Sequence, residues 1–202
     1  MHLEEVSLAK EPTGQYFPGY SLLPHVQRIK DLIDATQAKT VLDYGSGKGQ
    51  QYEKRIVDLG PGKERLTIPE FWGVQKVRCY DPGYEPFKVL PTEMFDGVIT
   101  TDMVEHCPVE DLPWIVDEIL SFADKFAYIN AASYPAAKIL PNGENAHCTI
   151  KPPEWWRALI AEIAEGHPGV LWELCVTSKS DSPTGPNIVE TVFSNAEDRK
   201  FT

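Results

Sequence analysis

The stretch that most constrains this chain is TVLDYGSGKGQQY, residues 40–52: an apolar run ending in an acid, then glycines at 45, 47 and 49. A short apolar run bounded by turn residues reads as a buried strand. Glycines at alternate positions then let the chain turn sharply and bring bare backbone against a ligand. Two familiar ligands fail on spacing. The dinucleotide fingerprint G-x-G-x-x-G meets Gln50 where its third glycine belongs, and the phosphate loop G-x-x-x-x-G-K-[ST] meets Leu42 at its start and Gly49 in place of a hydroxyl.

The pattern on either side alternates helix and strand. Leu22, Val26, Ile29 and Ile33 share a helical face that begins near Ser21, with Pro24 tolerated in the first turn. GQQYEKRIVDL, residues 49–59, reads as a helix after the glycine loop, and residues 60–71 as an inserted loop. VQKVRCYD (74–81) and FDGVITTD (95–102) read as the second and third strands. Leu112, Ile115, Val116, Ile119, Leu120 and Ala123 mark the clearest helix. KFAYIN (125–130) is a fourth strand, a loop leads to the helix EWWRALIAEI, and GVLWELCVTS with IVETVFSN forms a closing hairpin. In that second helix Trp155 and Trp156 read as a partly exposed residue beside a core one.

This order predicts a doubly wound α/β sheet, Rossmann-like, mostly parallel with a C-terminal antiparallel hairpin. It is read as one domain over residues 1–202, with an N-terminal arm or lid over 1–20. Ligands of such sheets bind beyond the carboxyl ends of the strands. That rim carries Asp43–Gly49, Asp81, Asp102–His106 and Asn130–Tyr134.

A net charge of −11 and the lack of a basic stripe disfavour a nucleic-acid partner. No apolar run reaches the roughly 18 residues of a membrane span, and the acidic N-terminus is unlike a secretory signal, so the expectation is a cytoplasmic protein. The four cysteines are scattered, with no C-x-x-C pair, and read as reduced thiols.

Asp-x-Gly-x-Gly-x-Gly at 43–49, Asp81 at the end of the second strand, and FDGVITTDMVEH together resemble the class I S-adenosylmethionine-dependent methyltransferases over about residues 21–134. The resemblance implies methyl transfer from S-adenosylmethionine, with Asp43, Tyr44, Gly45, Gly47, Gly49, Asp81, Pro82, Thr101 and Asp102 binding the cofactor. Asp81 is matched to the family's ribose-binding acid. The chain departs from the pattern after Asp81, where only 14 residues lead to Phe95 and leave the adenine-contacting acid unassigned.

Asp102-x-x-Glu105-His106 resembles an acid-x-x-Glu-His segment of the small-RNA 2′-O-methyltransferases and the ubiquinone-pathway O-methyltransferases. In the RNA branch that segment, with a histidine farther along the chain, holds a divalent cation beside the accepting hydroxyl. His147 stands in a comparable region here. The implied metal ligands are Asp102, Glu105, His106 and His147, a set that suits magnesium, manganese, iron or zinc. The same histidines, with Glu105, are the candidates for acid–base work when no ion is bound. Tyr16, Tyr20, Asn130 and Tyr134 are the candidate substrate contacts, and Phe17 belongs to the same aromatic arm.

The expected acceptor is a hydroxyl of a small molecule. A metal-dependent RNA or DNA methyltransferase is the first alternative, and a non-catalytic S-adenosylmethionine-binding regulatory or partner protein is the second.

Overall fold

The computed structural model describes residues 20–54, 56–60, 62–180 and 187–196. The chain is α/β, with six strands among the described residues divided between two compact units, Met1–Thr92 and Glu93–Thr202. No helix among the described residues is long and apolar enough to cross a membrane.

The first unit begins with a 3-10 turn, Tyr20–His25, that contains Pro24 and runs into α1, Val26–Thr36. Val26, Ile29, Leu32 and Ile33 form the buried face of α1, at the helical spacing of the sequence. Strand β1, Thr40–Tyr44, pairs in parallel with β2, Lys76–Tyr80, so that Asp43 lies opposite Cys79 and Tyr44 opposite Tyr80.

Between these strands the structure corrects two expectations. The helix expected over 49–59 is a single 3-10 turn, Gln50–Tyr52. Gln51 and Tyr52 turn inward to donate to Asp43, and Val57 pairs with Leu66 across an isolated antiparallel bridge. The expected loop over 60–71 contains the start of a short helix, α2, Ile68–Trp72. Thr67 and Glu70 form a reciprocal capping box at its start, with Pro69 in the first turn. The fully buried Trp72 anchors it, donating its Nε1–H to the Val26 carbonyl at 2.9 Å.

In the second unit β3 is Phe95–Thr100, α3 Leu112–Ser121, β4 Ala123–Ala132, α4 Pro153–Ala164, β5 Leu171–Ser180 and β6 Asn187–Ser194. Strands β3, β4 and β5 pair in parallel in that order, and β6 closes antiparallel on β5 as the hairpin pattern predicts. Strand β4 is longer than expected at both ends, and Ala123, counted on the helix face, is its first residue. Trp156 is buried and Trp155 partly exposed, as their pairing suggests.

Candidate functional site

The glycine loop follows β1 in the first unit. Gly45, Gly47 and Gly49 have φ of 83°, 58° and 65°, all in the left-handed region that a side chain disfavours. The loop spends its amides internally. Those of Gly45 and Ser46 donate to the Tyr80 carbonyl at 2.8 and 3.1 Å, and that of Gly49 to the Ser46 carbonyl at 3.3 Å. The Gly47 amide donates to Asp81 Oδ2 at 2.8 Å, and the Gly83 amide to Asp81 Oδ1 at 2.8 Å. Asp81 therefore latches the loop to the end of β2, and each of its oxygens keeps a lone pair. A Cβ on Gly49 would stand 2.9 Å from Phe87 Cε2 and 3.0 Å from Cys79 Sγ, so close packing fixes that position as much as conformation does.

Asp43 looks inward. It is buried, and its Oδ2 accepts from the Tyr52 hydroxyl at 2.8 Å and from Gln51 Nε2 at 3.3 Å. Burial pushes its carboxyl up to about 7, against the two hydrogen bonds, with the Asp81 charge adding to the rise. Its place in the loop is that of an internal anchor. Tyr44 is buried with its ring 4.9 Å from that of Tyr80. Pro82 sits in the exposed turn after Asp81, where the Tyr84 amide donates to the Asp81 carbonyl at 3.1 Å.

The second unit places Asp102 two residues beyond β3 with φ 55°, one of two non-glycine residues in the left-handed region among the described residues. Thr101 before it is buried. Val104–His106 then forms a 3-10 turn that directs Glu105 inward. Glu105 is fully buried, and its Oε1 accepts the Ala132 amide at the end of β4 at 2.8 Å. Its Oε2 has no hydrogen-bond partner among the described residues. Burial, then the Asp102 charge, pushes the carboxyl up to about 8, which keeps it protonated and neutral near pH 7.

The two histidines share one arrangement. His106 Nδ1 lies 2.7 Å from the Ala146 carbonyl, and His147 Nδ1 lies 2.7 Å from the Tyr134 carbonyl. A carbonyl only accepts, so Nδ1 carries a proton in each ring, and the Nε2 of a neutral ring carries a lone pair. His147 Nε2 is 3.8 Å from Asp102 Oδ1, and ligand atoms of Asp102, His106 and His147 all lie within 4.8 Å of one another. Burial and the neighbouring His147 push the His106 pKa down, keeping that ring neutral. The His147 side chain is 6% exposed and that of Asp102 44%, so the group opens to solvent on the carboxylate side.

Two imidazoles and one carboxylate on one face are a donor set for a transition ion with open positions. The backbone bonds at both Nδ1 atoms are the kind of support that fixes ligand orientation. Of the four ligands expected from sequence, Glu105 stands apart: its Oε1 is taken by the end of β4, and it is not one of the three.

Asn130 is buried and donates from Nδ2 to the Cys175 carbonyl at 2.9 Å, tying β4 to β5. Tyr134 contributes its carbonyl to His147, with its ring 5.9 Å from the imidazole and under Lys179 Nζ at 4.2 Å. Tyr20 opens the first 3-10 turn, while Tyr16, Phe17 and the rest of 1–19 lie outside the described residues. The four cysteines are free thiols. Sequence reasoning missed Gln51 and Tyr52 as partners of Asp43, Phe87 against Gly49, and Asn145 beside His147. Only Asn145 carried a signal: an asparagine two residues before a candidate ligand is placed for an Asx turn.

No family model, curated protein or solved structure matches the chain.

Proposed function

We propose that the chain is an S-adenosylmethionine-dependent methyltransferase of Rossmann-like, doubly wound architecture, acting on a hydroxyl of a small molecule with a divalent cation at Asp102, His106 and His147. The observation that carries the reading is the hydrogen bonding of the glycine loop. With the amides of Gly45, Ser46, Gly47 and Gly49 all donating within the chain, the loop offers no cluster of N–H groups to a phosphate. It offers bare glycine backbone and the remaining lone pairs of Asp81. That combination suits a ribose diol and a zwitterionic tail, and so a nucleoside cofactor without phosphate.

Methyl transfer is an in-line displacement: the acceptor oxygen forms the new C–O bond as the C–S bond breaks and its electron pair stays on sulfur. Asp102, His106 and His147 would hold a divalent ion, whose charge would lower the pKa of the acceptor hydroxyl. The chain's own part is to present two lone pairs and a carboxylate on one side, leaving the exposed Asp102 side for the acceptor and for proton loss to water. With no ion bound, His147 Nε2, 3.8 Å from the Asp102 carboxylate, is placed to take the proton itself. The charge of −11 favours a small acceptor over a polyanion.

Isothermal titration with S-adenosylmethionine, NAD and ATP tests the cofactor, and titration with Mn²⁺ tests the ion. The expected result is binding of S-adenosylmethionine alone among the three, and Mn²⁺ binding abolished by His147→Ala. Binding of NAD or ATP without S-adenosylmethionine would sink the reading.

A further inference from the structure

The segment between β4 and α4 folds back on itself beside the histidine pair. The Ala146 amide donates to the Lys138 carbonyl at 3.0 Å, and the Leu140 and Glu144 backbones join at 2.8 Å. Its tip turns through Gly143 at φ 87°, with Asn142 accepting the Glu144 amide at 3.1 Å.

Asn145 closes the base of this flap with one side chain. Its Oδ1 accepts the Ala136 amide at 2.9 Å and its Nδ2 donates to the Ala136 carbonyl at 2.9 Å, so it pairs with Ala136 as a neighbouring strand would. The same Oδ1 accepts the His147 amide at 2.9 Å. Three consecutive residues thus share one task. Asn145 pins the backbone, Ala146 supplies the carbonyl that orients His106, and His147 supplies its own Nε2.

We infer that Asn145 is a positioning residue of the Asp102–His106–His147 centre, holding the Ala146 carbonyl and His147 in register so that the ligand atoms of the three residues converge. The inference rests on the metal reading above for its consequence and on the Asn145 hydrogen bonds for its cause. Without the clamp, the 145–147 backbone is released from Ala136, and both imidazole orientations loosen together. The Glu105 side chain keeps its bond to the Ala132 amide in this change. A flap that merely needs closing would respond equally to damage at its tip.

The test compares Asn145→Ala and Asn145→Asp with Asn142→Ala, which weakens the tip without touching the ligand end. Mn²⁺ affinity, read by calorimetry, is expected to fall by about 10- to 100-fold in Asn145→Ala, the usual effect of removing support for a ligand. Asn145→Asp keeps an acceptor for the His147 amide but sets an oxygen against the Ala136 carbonyl, and its affinity should fall between the two. Asn142→Ala should bind as the unaltered chain does.

Imidazole ¹⁵N spectra of the metal-free proteins give a second readout. They should show the Nδ1–H form at both histidines in the unaltered chain and a mixture in Asn145→Ala. If the unaltered chain binds no Mn²⁺ yet the spectra change as expected, the metal reading fails and the positioning role stands. Unchanged spectra and affinity in Asn145→Ala, or an equal loss in Asn142→Ala, would overturn the inference.

Discussion

The imidazole of His106 stands edge-on to that of His147, ring centroids 4.7 Å apart and planes at 85°. Both rings are held by Nδ1–H bonds to backbone carbonyls, from Ala146 and Tyr134, so backbone geometry determines where the two lone pairs point. The histidines lie 41 residues apart in the chain, yet the Ala146 carbonyl joins them directly.

Asp102 completes this group from a strained backbone position, φ 55°. Asparagine tolerates that conformation nearly as well as aspartate, whereas alanine pays roughly 1 kcal/mol. Asp102→Asn is therefore expected to melt at the same temperature as the unaltered chain while losing at least about tenfold in Mn²⁺ affinity. Asp102→Ala should lose the affinity and some thermal stability as well. Thermal melts beside calorimetry separate the two effects, and equal stability of the two variants would remove the strain argument.

Asp81 works on both of its oxygens, one for Gly47 and one for Gly83. Asp81→Asn turns one acceptor into a donor that faces an N–H, leaving that amide without its partner, at a cost of about 1–3 kcal/mol. The expected outcome is a lower melting temperature and S-adenosylhomocysteine binding weakened by about tenfold, from a displaced loop and a lost ribose acceptor. Unchanged binding in calorimetry would show that the cofactor lies elsewhere.

How legible this was follows from which forces act locally. The buried faces of α1 and α3 were readable because side-chain spacing alone decides them, and β5 with β6 because a hairpin is a local structure. The span from Gln50 to Trp72 was misread, because Gln51 and Tyr52 are recruited by Asp43 and their helical spacing is overruled. Thr67-Ile68-Pro69-Glu70 did spell out a capping box, so α2 was available to a closer reading. In the candidate site, the chemical identity of Asp102, His106 and His147 could be read directly. The inward role of Glu105 could not, since it depends on the Ala132 amide 27 positions away, and its neutrality comes from burial once the chain has folded.

The elevated carboxyl of Asp43 makes stability depend on pH in a definite sense. Its value in the unfolded chain is near 3.8 and in the folded protein about 7, so the folded state binds the proton more tightly. The contribution is present in full below the unfolded value, and it is lost as pH rises through about 7. Tyr52, Gln51, Cys79 and Asp81 surround the group, and the Cys79 thiol, pushed up to about 12, stays neutral throughout. Asp43→Asn keeps an acceptor for Tyr52 and removes the titration. Urea unfolding of this variant from about pH 5 to pH 8 should show a flatter stability profile than the unaltered chain. Parallel profiles would mean that Asp43 is already ionised when folded.

Gly97 sets the spacing of β3 against β4. It lies opposite Phe126 in the register, and a Cβ there would stand 2.1 Å from Phe126 Cε1 and 2.3 Å from Cζ. Phe126 is fully buried, so it has no free volume into which to retreat. Gly97→Ala is therefore expected to destabilise by about 1–3 kcal/mol or more, the cost of overpacking a filled core. Trimming the opposing ring with Phe126→Leu should return part of that loss, although Phe126→Leu alone is destabilising. The double variant then lies above the sum of the singles in a thermodynamic cycle. Because β3 ends two residues before Asp102, a displaced strand should also weaken Mn²⁺ binding in Gly97→Ala, and the double variant should recover it. Strictly additive losses would show that Phe126 is not what confines position 97.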